Sequence, residues 1–413
     1  MSTMRMVIVH PYPVHQRAVG GTTRVLALVR FLVARGHRVA VLAHADSLDA
    51  DRDDEACRDL ARLGAVQRVF PRPTPSVWRK FAWGVGRTPY HVHRNRSPLL
   101  EAALADIVDR GDADVVHLEF GYLSDLLPPR RSVVYGLAEQ EVMSIARTRL
   151  ASTSFANRTW YERAAVYAAA RVRAYERRSL PRFDVLFGIT SAEAEVLSTS
   201  SGRPAGVLPH VVDTSRFVVC QHARTRDRVL FVGNFAHAPN VHAVRWFMNE
   251  VWPRVRAVRT SASWVIAGPG LPAGLATQLR DSGAEVRGYV GRLEALYHES
   301  TVFANPVHVG GGMRGKVLEA MASGLPVVST SLGLDGIAGT DRTHHLIADT
   351  ADAFTAAILE VLDSPRAAEH IGAAARALVV ATYDVAIVCG RLEAAYLEAV
   401  HRRRLASAAG LCA

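Results

Sequence analysis

The chain has 413 residues, more than one hydrophobic core usually serves, so two domains are expected. Its apolar fraction of 49% and charged fraction of 21% are those of an ordinary globular protein, and no apolar run approaches the roughly 20 residues that span a bilayer. The formal net charge of +10 rests almost wholly on scattered arginines, and neither zinc-finger spacing nor an RNP aromatic pattern is present, so nucleic acid is not the expected partner.

From Met4 to His10 runs a short apolar stretch ended by Pro11-Tyr-Pro13, which predicts a buried parallel strand rather than a signal peptide, and with it a cytoplasmic location. Gly20-Gly21-Thr22 follows, and helical spacing at Val25, Leu28, Val29 and Leu32 predicts a helix stopped by Gly36. Arg38–Ala43 reads as a second strand, completing a βαβ unit and implying a parallel sheet. The series continues with a helix near Leu99–Arg110, strands at Asp114–Leu118 and Ser132–Tyr135, a long helix from about Asn157 to Leu180, and a strand at Asp184–Ile189 with Ser191 as N-cap of the next helix.

Periodicity breaks between Gly202 and Phe217, and a second βαβ series begins. Its strands are expected at Val229–Val232, Ser263–Ala267, Val286–Val290, Val302–Ala304 and Pro326–Thr330, with a last helix near Val385–Ala399. The expected architecture is α/β: two Rossmann-like, doubly wound parallel-sheet domains facing across a cleft, residues 1–208 and 209–384, with a C-terminal helix (about 385–413) packing back on the first.

The sharpest segment is Asn305-Pro-Val-His-Val-Gly-Gly-Gly-Met-Arg-Gly-Lys-Val-Leu-Glu319. A strand, a glycine loop (Gly310, Gly311, Gly312, Met313) and a helix start make an anion site, because free N–H groups and the helix dipole both favour negative charge. Arg314 and Lys316 add cations suited to a pyrophosphate, and Glu319, one and a half turns on, is placed to accept from ribose hydroxyls. Only Lys80 and Lys316 are lysines, and a lysine kept in so arginine-rich a chain suits a role that needs a compact ammonium. Gly21 and Thr22 are a second candidate phosphate-facing helix start. The Gly20-Gly21-Thr22 turn of the first domain is not the Gly-x-Gly-x-x-Gly of dinucleotide binders, and no Gly-x-x-x-x-Gly-Lys-Ser/Thr occurs, which argues against a nicotinamide oxidoreductase and a P-loop hydrolase. Glu119, Glu139 and Glu141 fall near predicted carboxyl ends of strands, where a carboxylate can orient an acceptor hydroxyl or take its proton.

Four widely spaced cysteines (Cys57, Cys220, Cys389, Cys412) lack zinc spacing and read as incidental thiols. His210, near the break, reads as a structural histidine. Arg79-Lys80, Arg94-Asn-Arg96 and the run Arg171–Arg178 read first as solvated faces, and second as contacts with an anionic membrane surface.

These motifs resemble glycosyltransferase family four, a retaining family of GT-B architecture, and the likeness extends over nearly the whole chain. It rests on Phe231-Val-Gly-Asn-Phe235, Ala238-Pro-Asn-Val-His-Ala243, Gly288-Tyr-Val290, Gly310–Ala322 and Gly324-Leu-Pro-Val-Val-Ser-Thr330, joined in the first domain by Gly20-Gly21-Thr22, Arg35-Gly-His37, Asp114–His117 and Leu208–Asp213. The resemblance implies a nucleotide-diphosphate-sugar donor held mainly by the second domain, with Gly21, Thr22, Asn234, Tyr289, Val290, Gly310–Arg314, Lys316 and Glu319 around it. It implies an acceptor near His117, Glu119, Glu139 and Glu141 and catalysis by Glu119, Arg314 and Lys316, with no metal ion or cofactor besides the donor. The acceptor is left open among a glycan, a lipid-linked glycan and a small natural product. The chain departs from the family at Gly311, where a glutamate is usual, at Asn234, where arginine is frequent, and at Glu119, where a histidine is frequent. A non-catalytic nucleotide- or glycan-binding protein on the same fold is the alternative reading.

Overall fold

The computed structural model describes residues 3–15, 21–45, 50–72, 76, 78, 86, 88–129, 133–145, 159–219 and 224–408. Gly20, Arg79, Lys80, Cys220, Cys412 and the ends of two expected elements, Ser132 and Asn157, lie outside these residues. The chain forms two compact units, Met1–Pro209 with Val388–Ala413, and His210–Ile387.

The first unit holds seven parallel strands: β1 (Arg5–His10), β2 (Arg38–His44), β3 (Val66–Phe70), β4 (Val115–Leu118), β5 (Val134–Ala138), β6 (Val185–Gly188) and β7 (Gly206–Val207). They are ordered β3-β2-β1-β4-β5-β6-β7. β1 and β4 are almost wholly apolar and buried, as strands covered on both faces must be. Sheet order reverses between β1 and β4, which pair directly (Ile8 with His117, Val9 with Leu118), so the crevice beyond their carboxyl ends is the switch point where such sheets bind ligands. The helix Gly21–Ala34 starts there.

The second unit repeats the plan with β8 (Arg228–Val232), β9 (Ser263–Ala267), β10 (Ala284–Arg287), β11 (Val302–Asn305), β12 (Val327–Ser329) and β13 (Leu346–Ile347), ordered β10-β9-β8-β11-β12-β13. All its pairings are parallel and its switch lies between β8 and β11. Aromatic rings pack in the core, Phe247 tilted against Trp264 at 4.7 Å, while Trp252 satisfies its indole N–H on the Ser282 carbonyl at 2.9 Å.

Several boundaries differ from expectation. β5 runs three residues past its expected end because Gly136 continues the strand: a Cβ there would lie 2.1 Å from the Tyr396 hydroxyl, so glycine admits a neighbour instead of breaking the strand. β10 stops at Arg287, and 288–290 are irregular. Thr190, not Ser191, caps the helix Ser191–Ser201, its hydroxyl accepting from the Glu193 N–H at 3.2 Å. The helix Ala50–Arg62 and strand β3 lie outside the expected series.

The last helix, Val385–Ala408, extends nine residues beyond its expected end and belongs to the first unit from Val388 on. Its Glu393 accepts from His37 and Arg35, both at 2.7 Å, and its Arg403 donates to Asp184 at 2.8 Å. Along the arginine run, Arg171 donates to the Thr88 carbonyl and Arg178 pairs with Asp125, while Arg173 and Arg177 are exposed. Among the described residues no helix is long and apolar enough to cross a membrane.

Candidate functional site

In the second unit β11 ends at the fully buried Asn305, whose amide donates to Ser329 Oγ at 2.9 Å and the Gly333 carbonyl at 3.1 Å, fixing the point from which the glycine loop departs. Gly310 and Gly312 take φ of +102° and +76°, which side chains rarely tolerate. Arg314 folds back over this loop, donating to the carbonyls of Gly312 and, at 3.3 Å, Gly310. Its guanidinium therefore shapes the loop as well as carrying charge beside it. The helix Gly315–Ala322 begins with no side-chain cap and no acid in its first turn, so its first amides remain available to an anion.

Lys316, half-buried, donates to Asn240 Oδ1 at 2.8 Å and stands 4.0 Å over the Phe231 ring. Burial, with Arg314 adding repulsion, holds its ammonium well below the usual lysine range, against the pull of Glu319. Asn240 in turn donates to the Asn234 carbonyl at 2.8 Å. Lys316, Asn240 and Asn234 thus tie the helix after β11 to the loop after β8, across the switch point. Asn240 lies in the Ala238–Ala243 motif yet was not expected in the site; its short side chain at a helix start is the signal that could have marked it.

Glu319 accepts from the Tyr297 hydroxyl at 2.9 Å. Burial drives its pKa up to about 7, although Tyr297, Arg216 and Lys316 favour the carboxylate. His210 closes the other side: a Cβ on Gly315 would meet its ring at 3.0 Å, so any larger residue at the first helical position would press on that ring. Met313 is buried in the loop. Gly311 lies between the two positive-φ glycines, and Tyr289 and Val290 follow β10, two strands from β8, with Tyr289 exposed.

In the first unit the structure joins several expected residues into one buried network. Glu119 and His117 are wholly buried. Glu119 Oε1 lies 2.9 Å from His117 Nε2, and Oε2 accepts from Gln140 at 2.8 Å and lies 3.6 Å from Arg24 Nε. His117 Nδ1 meets the Tyr396 hydroxyl at 2.6 Å. A carboxylate only accepts, so His117 donates to it from Nε2 while Nδ1 is bonded to the Tyr396 hydroxyl. Gln140 also donates to the Gly21 carbonyl at 3.2 Å, and Gly21 has no room for a Cβ beside it. Burial alone would raise the Glu119 pKa, but Arg24, His117 and Gln140 outweigh it and pull it down to about 2. Both oxygens are engaged and without surface, and this geometry supports an anchoring role for Glu119 beside the orienting or proton-taking one expected from the sequence. Arg24, Gln140 and Tyr396 are the partners that sequence spacing could not supply.

Glu139 is also buried; it accepts from the Gly121 N–H at 2.6 Å, and burial with Glu176 nearby pushes its pKa well up. Glu141 is half-buried in the turn that follows, and Thr22 is half-buried in the first turn of its helix. Among the described residues no three His, Cys, Asp or Glu side chains converge as a metal site requires.

Residues 226–364 match the family model described as Glycosyl transferases group 1. A curated relative, the "Uncharacterized 44.6 kDa protein in cps region" of Klebsiella pneumoniae, is 31% identical over 128 residues, 29% of this chain; the match spans about a third of that protein's length (32%). Among solved structures the chain is similar to S. aureus TarM, in a complex with Fondaparinux, alpha-GlcNAc-glycerol and UDP (TM-score 0.70, 8% identity, 95% of this chain and 100% of that one). It is also similar to a glycosyltransferase from Rickettsia africae (0.68, 10%, 97% and 99%) and to Anabaena HepE in complex with UDP-glucose (0.63, 11%, 94% and 98%). These likenesses show the fold, that of GT-B glycosyltransferase structures.

Proposed function

We propose that the chain is a retaining glycosyltransferase that binds a nucleoside-diphosphate sugar on its second unit and passes the sugar to a hydroxyl of an acceptor held by the first. The family match over residues 226–364 and the GT-B fold support glycosyl transfer. One observation carries the donor site: an uncapped helix start behind two positive-φ glycines, with Lys316 beside it and Glu319 one turn on.

In this reading the open amides and Lys316 bind the diphosphate, whose own charge restores the ammonium that burial disfavours. Glu319 accepts from ribose hydroxyls. The acceptor oxygen bonds the anomeric carbon as the carbon–oxygen bond to the diphosphate breaks; the bonding pair leaves on the diphosphate, and the hydroxyl proton passes to it. Charge on the leaving group is balanced by side chains and amides, without a metal ion. Gly311 leaves sugar choice to other residues. In the first unit Glu119 positions the start of the helix Gly21–Ala34 through Gln140, and the amides of Gly21 and Thr22 form a second anion-binding helix start.

The test is calorimetric titration of UDP, GDP, dTDP and ADP into wild type, Lys316→Ala and Glu319→Ala, paired with an assay for nucleoside diphosphate released from the matching sugar donors. One nucleotide should bind, each variant should weaken it at least tenfold while remaining folded, and the donor should be consumed. Unchanged affinity in both variants would sink the placement of the site. Binding without release from any donor would favour a non-catalytic nucleotide-binding protein.

A further inference from the structure

The carboxyl edge of the first unit's sheet carries a group of rings that the chemistry above does not use. β1 ends at His10, whose ring lies 5.9 Å from Phe120 and 6.1 Å from Tyr12. Phe120 follows β4, the neighbour of β1, and stacks on Tyr122 at 5.1 Å with 20° between planes; His91 approaches Tyr122 at 6.2 Å. The Arg72 guanidinium covers one face of Tyr12 at 5.0 Å and donates to the Pro11 carbonyl. Gln67 pins the same segment by bonding both the N–H and the carbonyl of Val14, at 2.8 and 3.1 Å. Tyr12 is 44% exposed and Phe120, Tyr122 and His91 are half-buried, so these rings form surface as well as core.

His10 supplies a directional polar group. Its ring is 1% exposed, and Nδ1 lies 2.7 Å from the Tyr12 carbonyl. The Tyr12 N–H also lies 3.3 Å from Nδ1, but the contact with the carbonyl, which only accepts, is far shorter and sets the proton on Nδ1 and a lone pair on Nε2. That atom has no hydrogen-bond partner among the described residues, unusual for a buried polar group. Burial keeps the ring neutral by lowering its pKa. A neutral lone pair selects an O–H or N–H donor over a phosphate or carboxylate, and flat aromatic faces select a ring with an apolar side.

We propose that His10, Tyr12, Phe120, Tyr122 and His91 form a binding site for a polyhydroxylated ring, a sugar or cyclitol unit. The ring lays its C–H face on the aromatic group and donates one hydroxyl to His10 Nε2, with Tyr12, the most exposed ring, shifting to admit it. Resting on the transferase reading, the bound unit is the acceptor, which makes the acceptor a glycan or cyclitol conjugate rather than an aromatic natural product. Binding itself does not depend on that reading.

Saturation-transfer NMR on the full chain, without nucleotide, tests it with methyl α-glucoside, methyl α-mannoside, methyl α-galactoside and myo-inositol as probes. At least one should bind in the millimolar range, up to about 50 mM, as suits a single ring. Tyr12→Ala and Phe120→Leu should weaken it at least fivefold, and His10→Phe, which keeps the ring but not the lone pair, should do the same; Lys316→Ala should leave it unchanged. Melting curves establish that each variant is folded. No binding by any probe, or binding indifferent to the three ring variants, would overturn the proposal. Failure of nucleotide binding in the preceding titrations would leave this result standing and sink only the identity of the ring as acceptor.

Discussion

Replacing Glu119 by Gln separates an anchor from a catalytic base. The folded protein holds this carboxyl at a pKa of about 2, against 4.5 for a free one. At about 1.4 kcal/mol per pKa unit, that difference corresponds to about 3 kcal/mol of stability at neutral pH. Loss of one charge from a buried pair is of similar size, because Arg24 is left buried without its counter-ion. The sign follows from a depressed acid: the contribution is full above pH 4.5, where the unfolded carboxyl is ionised, and disappears as pH falls toward 2. Urea unfolding of wild type and Glu119→Gln, followed by circular dichroism at pH 7 and again between pH 4.5 and 3, should therefore show a gap of about 3 kcal/mol that narrows with acid. A variant as stable as wild type at pH 7, with turnover reduced a thousandfold, would refute the reasoning and return Glu119 to the reacting groups.

Gly372→Ala places a Cβ 2.2 Å from the Gly324 carbonyl, backbone that has no side chain to move, and should cost the second unit about 1–3 kcal/mol in urea unfolding. Glu319→Gln should have the opposite pH dependence to Glu119→Gln: with a folded pKa of about 7 against 4.5, the native carboxyl favours the fold below pH 4.5 and loses that advantage as pH rises through 7, so the variant should gain on wild type between pH 5 and pH 8. Tyr396→Phe removes the hydroxyl that bonds His117 at 2.6 Å and should cost about 1–3 kcal/mol, read by the same unfolding curves.

Much of the architecture was legible because buried parallel strands and glycine-stopped helices leave local marks. The apolar runs ending at His10 and Leu118, and the glycine loop before Lys316, announced both sheets and the candidate donor site. Strand β3 escaped because it is an edge strand: Val66 is exposed and Arg68 interrupts the apolar pattern. Gly136 looked like a strand end because its reason for being glycine, Tyr396, lies 260 residues away. The surroundings of Glu119 were hidden for the same cause. Its position after a strand is visible in sequence, but its burial depends on Arg24, Gln140 and Tyr396, which only the folded sheet and the returning C-terminal helix bring together. Sequence places a residue at a strand end; whether it faces solvent or core is decided by long-range packing.

The most direct test of the donor site is thermal unfolding of the purified protein with UDP, GDP, dTDP or ADP in the presence of EDTA. A nucleotide at 100 times its dissociation constant should stabilise the folded state by about 2.7 kcal/mol, and one of the four should raise the melting temperature with the chelator present. No shift with any of them, with or without added magnesium, would contradict the account.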